Sequence, residues 1–127
     1  MIVAGVGFRR DTSADEIERV VLTALGAFKV ARASLDAIAT ETAKAAEPGV
    51  VEAARRLSVA LVECATGDLE KVAGAVLSPS NLVLETKGVP SIAEASAVVA
   101  AGRNARLLGA RVATARATCA IAVGEGR

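Results

Sequence analysis

The sequence predicts an α/β fold: a three-layer sandwich with a mainly parallel five-stranded sheet and an antiparallel C-terminal edge. Short apolar runs alternate with segments of helical period along the chain, which is typical of a parallel sheet covered on both faces. At 127 residues the chain is long enough for one domain with a sizeable core. Only 2% of its residues are aromatic, so alanine, valine and leucine must fill that core.

The first strand and helix follow from the N-terminal 28 residues. Residues 2–7 form an apolar run that contains Gly5 and Gly7, which is typical of a buried parallel strand. Ser13 and Glu16 have the spacing of a helix capping box. After them, apolar residues recur at the spacing of one helix face: Ile17, Val20, Val21, Ala24, Leu25 and Phe28. We expect Glu16 to face water.

Two more strand–helix units follow. Residues 35–40 and 59–62 are the second and third predicted strands. Between them, Pro48 suits the first turn of a helix. We assign its buried side to four residues: Val50, Val51, Ala54 and Leu57. Residues 66–76 have the weakest pattern, and we expect a short helix there.

The C-terminal third predicts further helices and the last strands. Residues 78–80 have the sequence Ser-Pro-Ser, which indicates another helical turn, and Ser91 with Glu94 forms a second capping box. The helix from Ile92 to Ala101 ends at Gly102. Residues 106–109 and 118–123 are the last predicted strands. The domain thus occupies residues 1–123, and residues 124–127 are expected to be a flexible tail.

Composition excludes several classes of function. The net charge is +1 and the chain has no histidine, which argues against a nucleic-acid partner, a histidine-based catalytic pair and an imidazole metal ligand. No apolar stretch reaches the roughly 18 residues of a membrane span. We therefore expect a cytoplasmic protein without a metal, a cofactor or a membrane contact. Cys64 and Cys119 lie in apolar strand patterns, so buried, reduced thiols that are dispensable for binding are expected.

Polar residues follow the first two predicted strands. Arg9 and Arg10 come after the glycines, and Thr40, Lys44 and Glu47 come after the second strand. The carboxyl ends of parallel strands share one edge, where α/β proteins bind ligands. Arginines at a helix N-terminus favour a carboxylate or phosphate ligand.

Other interpretations of these residues stay open. The glycines resemble the start of a dinucleotide fingerprint without its third glycine, or they only form a tight turn. Lys44 and Glu47 fit a solvated pair. The turn with Gly88 and Ser91 fits either a simple helix cap or a second anion contact.

Four segments together resemble the family formed by CobE and the C-terminal domain of CbiG, both of cobalamin biosynthesis. The matching segments are VAGVGFRR from Val3, ATETAKAAEPG from Ala39, GVPSIAEA from Gly88 and ATCAIA from Ala117, with the Ser-Pro-Ser of residues 78–80 between the second and third. The chain departs from the family at Glu41-Thr42, where Leu-Asp is common, and in residues 111–116, which lack the usual lysine.

The resemblance implies a role in corrin-ring synthesis. Full-length CbiG opens the lactone ring of cobalt-precorrin-5A, and its extra N-terminal region precedes this domain. Because this chain starts at the first strand of the domain, we expect the short, CobE-like form. The expected ligand is a precorrin or corrinoid, whose acetate and propionate groups would contact the arginines and whose apolar face would contact Val6, Phe8 and Val89.

Three functions are compatible with this resemblance. The first is an accessory or carrier protein that binds a tetrapyrrole intermediate. The second is a hydrolase of the CbiG type, with Lys44 or Glu47 in acid–base work, and the third is a module that docks on another enzyme of the pathway. The predicted ligand contacts are Gly5, Gly7, Phe8, Arg9, Arg10, Thr40, Lys44, Glu47, Gly88, Ser91 and Glu94.

Overall fold

Strands and helices alternate along the chain in the computed structural model, which describes residues 1–75 and 92–126. In chain order the elements are β1 (Ile2–Phe8), α1 (Ala14–Ala27), β2 (Ala37–Glu41), α2 (Pro48–Leu57), β3 (Ala60–Cys64), α3 (Thr66–Ala75), α4 (Ile92–Ala101), β4 (Arg106–Leu107), β5 (Val112–Ala113) and β6 (Ala117–Val123). The helical turn predicted at residues 78–80 lies outside the described residues.

The strands form one six-stranded sheet of order β3-β2-β1-β6-β4, in which β5 also pairs with β6. β1, β2 and β3 are parallel to one another, and β6 is antiparallel to β1, β4 and β5. The predicted α/β class with an antiparallel C-terminal part is therefore confirmed, with six strands where the sequence predicts five.

The antiparallel part reaches the centre of the sheet. β6 pairs with β1 over the full length of both strands, from Ile2↔Val123 to Phe8↔Ala117. Both strands are mostly buried, as expected for strands at the centre of a sheet that helices cover on both faces. The predicted strand at residues 106–109 is reduced to the two residues of β4, and β5 forms a separate short strand.

Helices cover both faces of the sheet, as a three-layer sandwich requires. On the α1–α2 face, one core cluster contains Ile17, Val21, Ile38, Val50 and Ile121. On the α4 face, the second cluster consists largely of alanines of α4 and of the strands, together with Leu69 of α3. The two faces therefore differ in the size of the side chains that fill them.

The helix predictions are confirmed at α1 and α4 and need one correction at α2. Ser13 caps α1 by accepting the Glu16 N–H at 3.2 Å. In α2 the exposed fraction of Val51 is 47%, so its predicted burial is wrong, and Ala53 is buried in its place. Helical periodicity explains this, because position 53 and not 51 lies three residues from Val50 on the same face.

β1 continues past the two glycines, unlike the turn that the sequence indicates. Gly5 lies inside the strand beneath α4, where a Cβ atom would be 2.0 Å from the Ala93 carbonyl oxygen. The chain turns only after Phe8, and Asp11 has a positive φ of 63° in that turn. Gly5 is therefore explained by the close approach of a helix to a strand.

The predicted tail has backbone partners in this structure. Gly124 exchanges hydrogen bonds with Met1, at 2.9 Å and 2.7 Å, and Gly126 donates to Ala101 at 2.7 Å. The flexibility of residues 124–127 stays a prediction. In the described part of the chain, no helix has both the length and the hydropathy needed to cross a membrane.

Candidate ligand-binding edge

Four helices begin at one edge of the sheet, which we call the carboxyl edge. α1, α2 and α3 each start shortly after β1, β2 and β3 end. The first turn of α4 also reaches this edge, because the Ala93 nitrogen lies 3.6 Å from the position of a Cβ atom at Gly7. Helix N-termini carry partial positive charge, so the carboxyl edge favours anions.

The β1–α1 connection places two arginines on this edge. We call residues 9–12 the arginine turn. It is closed locally, because Thr12 donates to the Arg9 carbonyl from its N–H at 3.2 Å and from its hydroxyl at 2.6 Å. Arg9 and Arg10 are exposed, and neither guanidinium group has a hydrogen bond or ion pair with a described residue. Both groups are accessible to a ligand.

Arg116 of the β5–β6 connection, which the sequence analysis missed, holds the arginine turn, and Glu16 of α1 in turn holds this connection. The Arg116 carbonyl accepts the Arg9 N–H at 3.0 Å, and the Arg116 guanidinium donates to the Arg10 carbonyl at 2.9 Å. Glu16 accepts the Arg116 N–H at 3.3 Å and the Thr114 hydroxyl. Glu16, which was expected to face water, is half-buried by these contacts.

These contacts also affect the acidity of Glu16. The hydrogen bond from Thr114, followed by the one from the Arg116 N–H, lowers the pKa of the Glu16 carboxyl below its ordinary value. Both donors stabilise the ionised form. The sequence gives little indication that residues 114–116 contact the arginine turn, since the only hint is the presence of two arginines in residues 111–116.

Thr40 and Lys44 fill the space where β1 and β2 separate. The parallel pairing of these strands ends at Gly5↔Ala39. Beyond it, the Thr40 hydroxyl donates to the Val6 carbonyl at 2.8 Å, and the Lys44 ammonium donates to the Phe8 carbonyl. The Lys44 Nζ also lies 5.2 Å from the centre of the Phe8 ring. These two predicted site residues therefore hold the end of β1.

The apolar side chains expected to contact a ligand belong to the core instead. Val6 is fully buried and Phe8 is 8% exposed, and both pack on the α1–α2 face. Their alternation along β1 explains this, because residues 4, 6 and 8 all face the same helices. Val89 lies outside the described residues.

Glu47 contacts the arginine turn rather than Lys44. Its Oε1 accepts the Asp11 N–H at 3.0 Å, which supports the positive φ of Asp11. A cavity of ≈ 380 Å³ lies beside this contact, between the first turns of α1 and α2, and its lining includes Ser13, Gly49 and Glu52. The turn is thus held from two sides, by Glu47 and by Arg116.

On the α4 face, Glu94 forms an ion pair. Its carboxyl is fully buried, and Oε1 lies 3.3 Å from the guanidinium of Arg111, whose side chain is 24% exposed. Of the predicted contacts, Arg9, Arg10, Lys44 and Glu47 are brought together, while Gly88 and Ser91 lie outside the described residues.

Both cysteines are buried, as the sequence predicts. Burial raises the pKa of the Cys119 thiol, and the Cys64 thiol donates to the Ser96 carbonyl at 3.7 Å. Within residues 1–75 and 92–126, no group of three or more cysteine, aspartate or glutamate residues could hold a metal ion.

Comparison with known proteins places this fold in one family. Residues 2–122 match the family described as Cobalamin synthesis G C-terminus. A relative from a Sinorhizobium species, named Protein CobE, is 34% identical over 121 residues, which cover 95% of this chain and 79% of the relative.

Solved structures of cobalamin biosynthesis proteins have the same fold. CobE, described as a protein from the cobalamin (vitamin B12) biosynthetic pathway, has a TM-score of 0.81 at 35% identity, and the match covers 96% of this chain and 92% of that one. The cobalamin biosynthesis protein chiG of Agrobacterium tumefaciens is 40% identical with a TM-score of 0.80, over 98% of both chains. A cobalamin biosynthesis protein G homolog from Sulfolobus solfataricus shares the fold, with a TM-score of 0.72 at 24% identity over 37% of its length.

Proposed function

This chain belongs to the Cobalamin synthesis G C-terminus family of cobalamin biosynthesis proteins, and we propose that it binds a precorrin or corrinoid intermediate as an accessory or carrier protein. On this proposal the protein acts in the cytoplasm and transfers its ligand to or from other enzymes of the pathway. The binding site is the carboxyl edge.

The accessibility of the Arg9 and Arg10 guanidinium groups carries this proposal. Both side chains are exposed and have no partner among the described residues, although their backbone is held firmly on two sides. Precorrins and corrinoids carry several acetate and propionate groups. Each guanidinium can form a bidentate pair with a carboxylate, and each charge-assisted hydrogen bond contributes roughly 1.5–3 kcal/mol.

The helix N-termini at the same edge support a ligand with several carboxylates. The first turns of α1, α2 and α4 lie around the end of β1, and their partial positive charges add to those of the arginines. Lys44 adds another cation beside Phe8. A macrocycle with carboxylates around its rim can contact several of these groups at once.

The contacts of Lys44 and Glu47 favour binding over hydrolysis. Lys44 donates to the Phe8 carbonyl, and Glu47 accepts the Asp11 N–H. Each side chain therefore supports the backbone that carries the arginines. Acid–base work on a lactone would require these groups to exchange protons with a substrate as well, and turnover of a precorrin lactone by the purified protein tests this directly.

A spectral titration tests the proposed binding. Hydrogenobyrinic acid, a corrinoid with free carboxylates, should shift its visible bands when the protein is added. Arg9→Ala should weaken binding by at least about tenfold, which is about 1.4 kcal/mol, and added salt should weaken the wild-type complex.

A matched control separates local contact from net charge. Arg103 is also exposed, but it lies at the opposite edge, where its N–H donates to Gly126. Arg103→Ala removes the same charge, and we expect an affinity within about twofold of the wild type, the size of a small surface effect. Equal losses in the two variants, or no band shift with the wild type, would contradict the proposal.

A further inference from the structure

We infer that Glu16, Thr114 and Arg116 form a clamp that positions the arginine turn for ligand binding, an inference that rests on the proposed function. These residues come from α1 and from the β5–β6 connection, which is 98 to 107 residues away in sequence from its contacts. None of the three is needed to contact the ligand. Their effect on binding acts through Arg9 and Arg10.

The clamp holds the turn through backbone groups of two consecutive residues, Arg9 and Arg10. The Arg116 carbonyl accepts the Arg9 N–H at 3.0 Å, and the Arg116 guanidinium donates to the Arg10 carbonyl at 2.9 Å. Because these bonds fix the peptide groups on both sides of Arg9 and Arg10, they fix the direction in which each side chain leaves the backbone. Because the backbone of the turn is already ordered, less conformational entropy is lost when the two arginines pair with carboxylates.

Glu16 is the centre of the clamp. One carboxylate oxygen accepts both the Thr114 hydroxyl and the Arg116 N–H. Thr114 in turn donates its own N–H to the Ala117 carbonyl at 2.8 Å, which closes the connection before β6. Removal of the Glu16 carboxylate therefore releases residues 114–116 from α1, and the Arg116 contacts to the turn loosen with them.

The sign of the expected effect separates positioning from simple electrostatics. Glu16 is an acid near a site for a polycarboxylate, so its loss should strengthen binding if only charge matters. If Glu16 positions the arginine turn, its loss should weaken binding. The two explanations predict opposite changes in the dissociation constant.

The experiment titrates hydrogenobyrinic acid into the full chain and compares Glu16→Ala with a matched variant, Glu18→Ala. Glu18 is on the same helix, and it forms an ion pair with Arg56 at 3.5 Å, away from the turn. We expect Glu16→Ala to weaken binding by about fivefold or more, and Glu18→Ala to stay within about twofold of the wild type. Glu16→Gln keeps an acceptor oxygen and should restore most of the affinity.

Amide hydrogen exchange tests the clamp without any ligand. The Arg9 N–H should exchange faster in Glu16→Ala than in the wild type, while amides of β1 and β6 within the core should not change. If Glu16→Ala folds poorly, Thr114→Val replaces the hydroxyl with a methyl group of similar size and should give a smaller change in the same direction.

The outcomes separate this inference from the proposed function. An affinity in Glu16→Ala equal to or tighter than that of the wild type, or an unchanged exchange rate at Arg9, would overturn the clamp. An unchanged affinity in Arg9→Ala together with faster exchange at Arg9 in Glu16→Ala would overturn the proposed function and leave the clamp in place.

Discussion

The two faces of the sheet are packed with side chains of different size, although the same strands supply both. On β1, Val6 and Phe8 face α1 and α2, whereas Gly5 and Gly7 face α4. β2 and β6 repeat this alternation: Ile38 and Ile121 face α1 and α2, and Ala37, Ala39, Ala120 and Ala122 face α4. A period of two therefore places most of the large strand residues on one face and most of the small ones on the other, with Val3 and Ala4 as exceptions on β1.

This difference sets how close each helix lies to the sheet. At Gly5 and Gly124, a Cβ atom would meet the Ala93 and Ala101 carbonyl oxygens at 2.0 Å and 2.4 Å. α4 thus packs backbone against backbone, while α1 and α2 pack through their side chains. The close approach of α4 also brings its first turn to Gly7, and so to the carboxyl edge, where it can contribute to anion binding.

The largest expected effect is on the α4 face. Gly5→Ala should leave little folded protein, because the added methyl group overlaps backbone atoms of Ala93 and Ala97. The cost should exceed the roughly 1–3 kcal/mol that extra methylene groups usually cost in a packed core. Folded yield and far-UV circular dichroism measure the effect.

Gly26 provides the matched control. It lies in α1, and a Cβ atom there has no neighbour within 4 Å. Gly26→Ala should be neutral or stabilise the protein by up to about 1 kcal/mol, since alanine favours a helix. A stable Gly5→Ala variant would show that α4 can move away from the sheet.

A cavity on the α1–α2 face should have the next largest effect. Ile38 is fully buried between β2 and the two helices, so Ile38→Ala should lower the free energy of unfolding by about 2–5 kcal/mol. Urea denaturation measures this change. The variant should remain folded, because the substitution removes contacts without creating steric overlap. An unfolded variant would indicate that the two faces of the sheet tolerate substitutions equally poorly.

One cysteine lies on each face of the sheet. Cys64 packs on the α4 face and Cys119 on the α1–α2 face. Each alanine substitution removes one buried sulfur atom and should cost about 1 kcal/mol, like other deletions of a single heavy atom. Corrinoid affinity in the double variant should stay within a few-fold of the wild type; a tenfold loss, about 1.4 kcal/mol, would place a thiol in the binding function.

The smallest effect concerns the outer surface of the α1–α2 face. Hydrogen bonds from Arg55 and then Arg56 lower the pKa of Glu52 from 4.5 to about 2. A carboxyl whose pKa is lower in the folded state stabilises the protein above its unfolded pKa, and this contribution disappears as the pH falls. Stability should therefore decrease between pH 4.5 and about 2.

The variant Glu52→Gln should show a shallower decrease over this range. Because the groups are exposed and screened by salt, the difference should shrink in concentrated sodium chloride. Thermal unfolding over a pH series measures it. An unchanged pH profile would show that this surface pair contributes nothing measurable to stability.

The local pattern was enough to predict the elements that are defined by neighbouring residues. The bounds of α4 follow from an apolar run that ends at Gly102, and those of α1 from the Ser13 cap and the helical period. The wrong prediction for Val51 also has a local cause. Residues three and four positions after Val50 lie on its face of the helix, and these are Ala53 and Ala54. The grouping of Arg9, Lys44 and Glu47 followed from the rule that parallel strands share a carboxyl edge.

The sequence by itself determined the α/β class, the parallel β1–β2–β3 unit and the presence of two arginines after β1. Only the tertiary structure decided that β6 lies beside β1, that Gly5 lies under α4, and that Arg116 holds a turn 106 residues away in sequence. The physical reason is the range of the interactions. Caps and periodicity depend on residues within a few positions, whereas strand neighbours, helix contacts and the clamp on the arginine turn depend on partners that only the folded chain brings together.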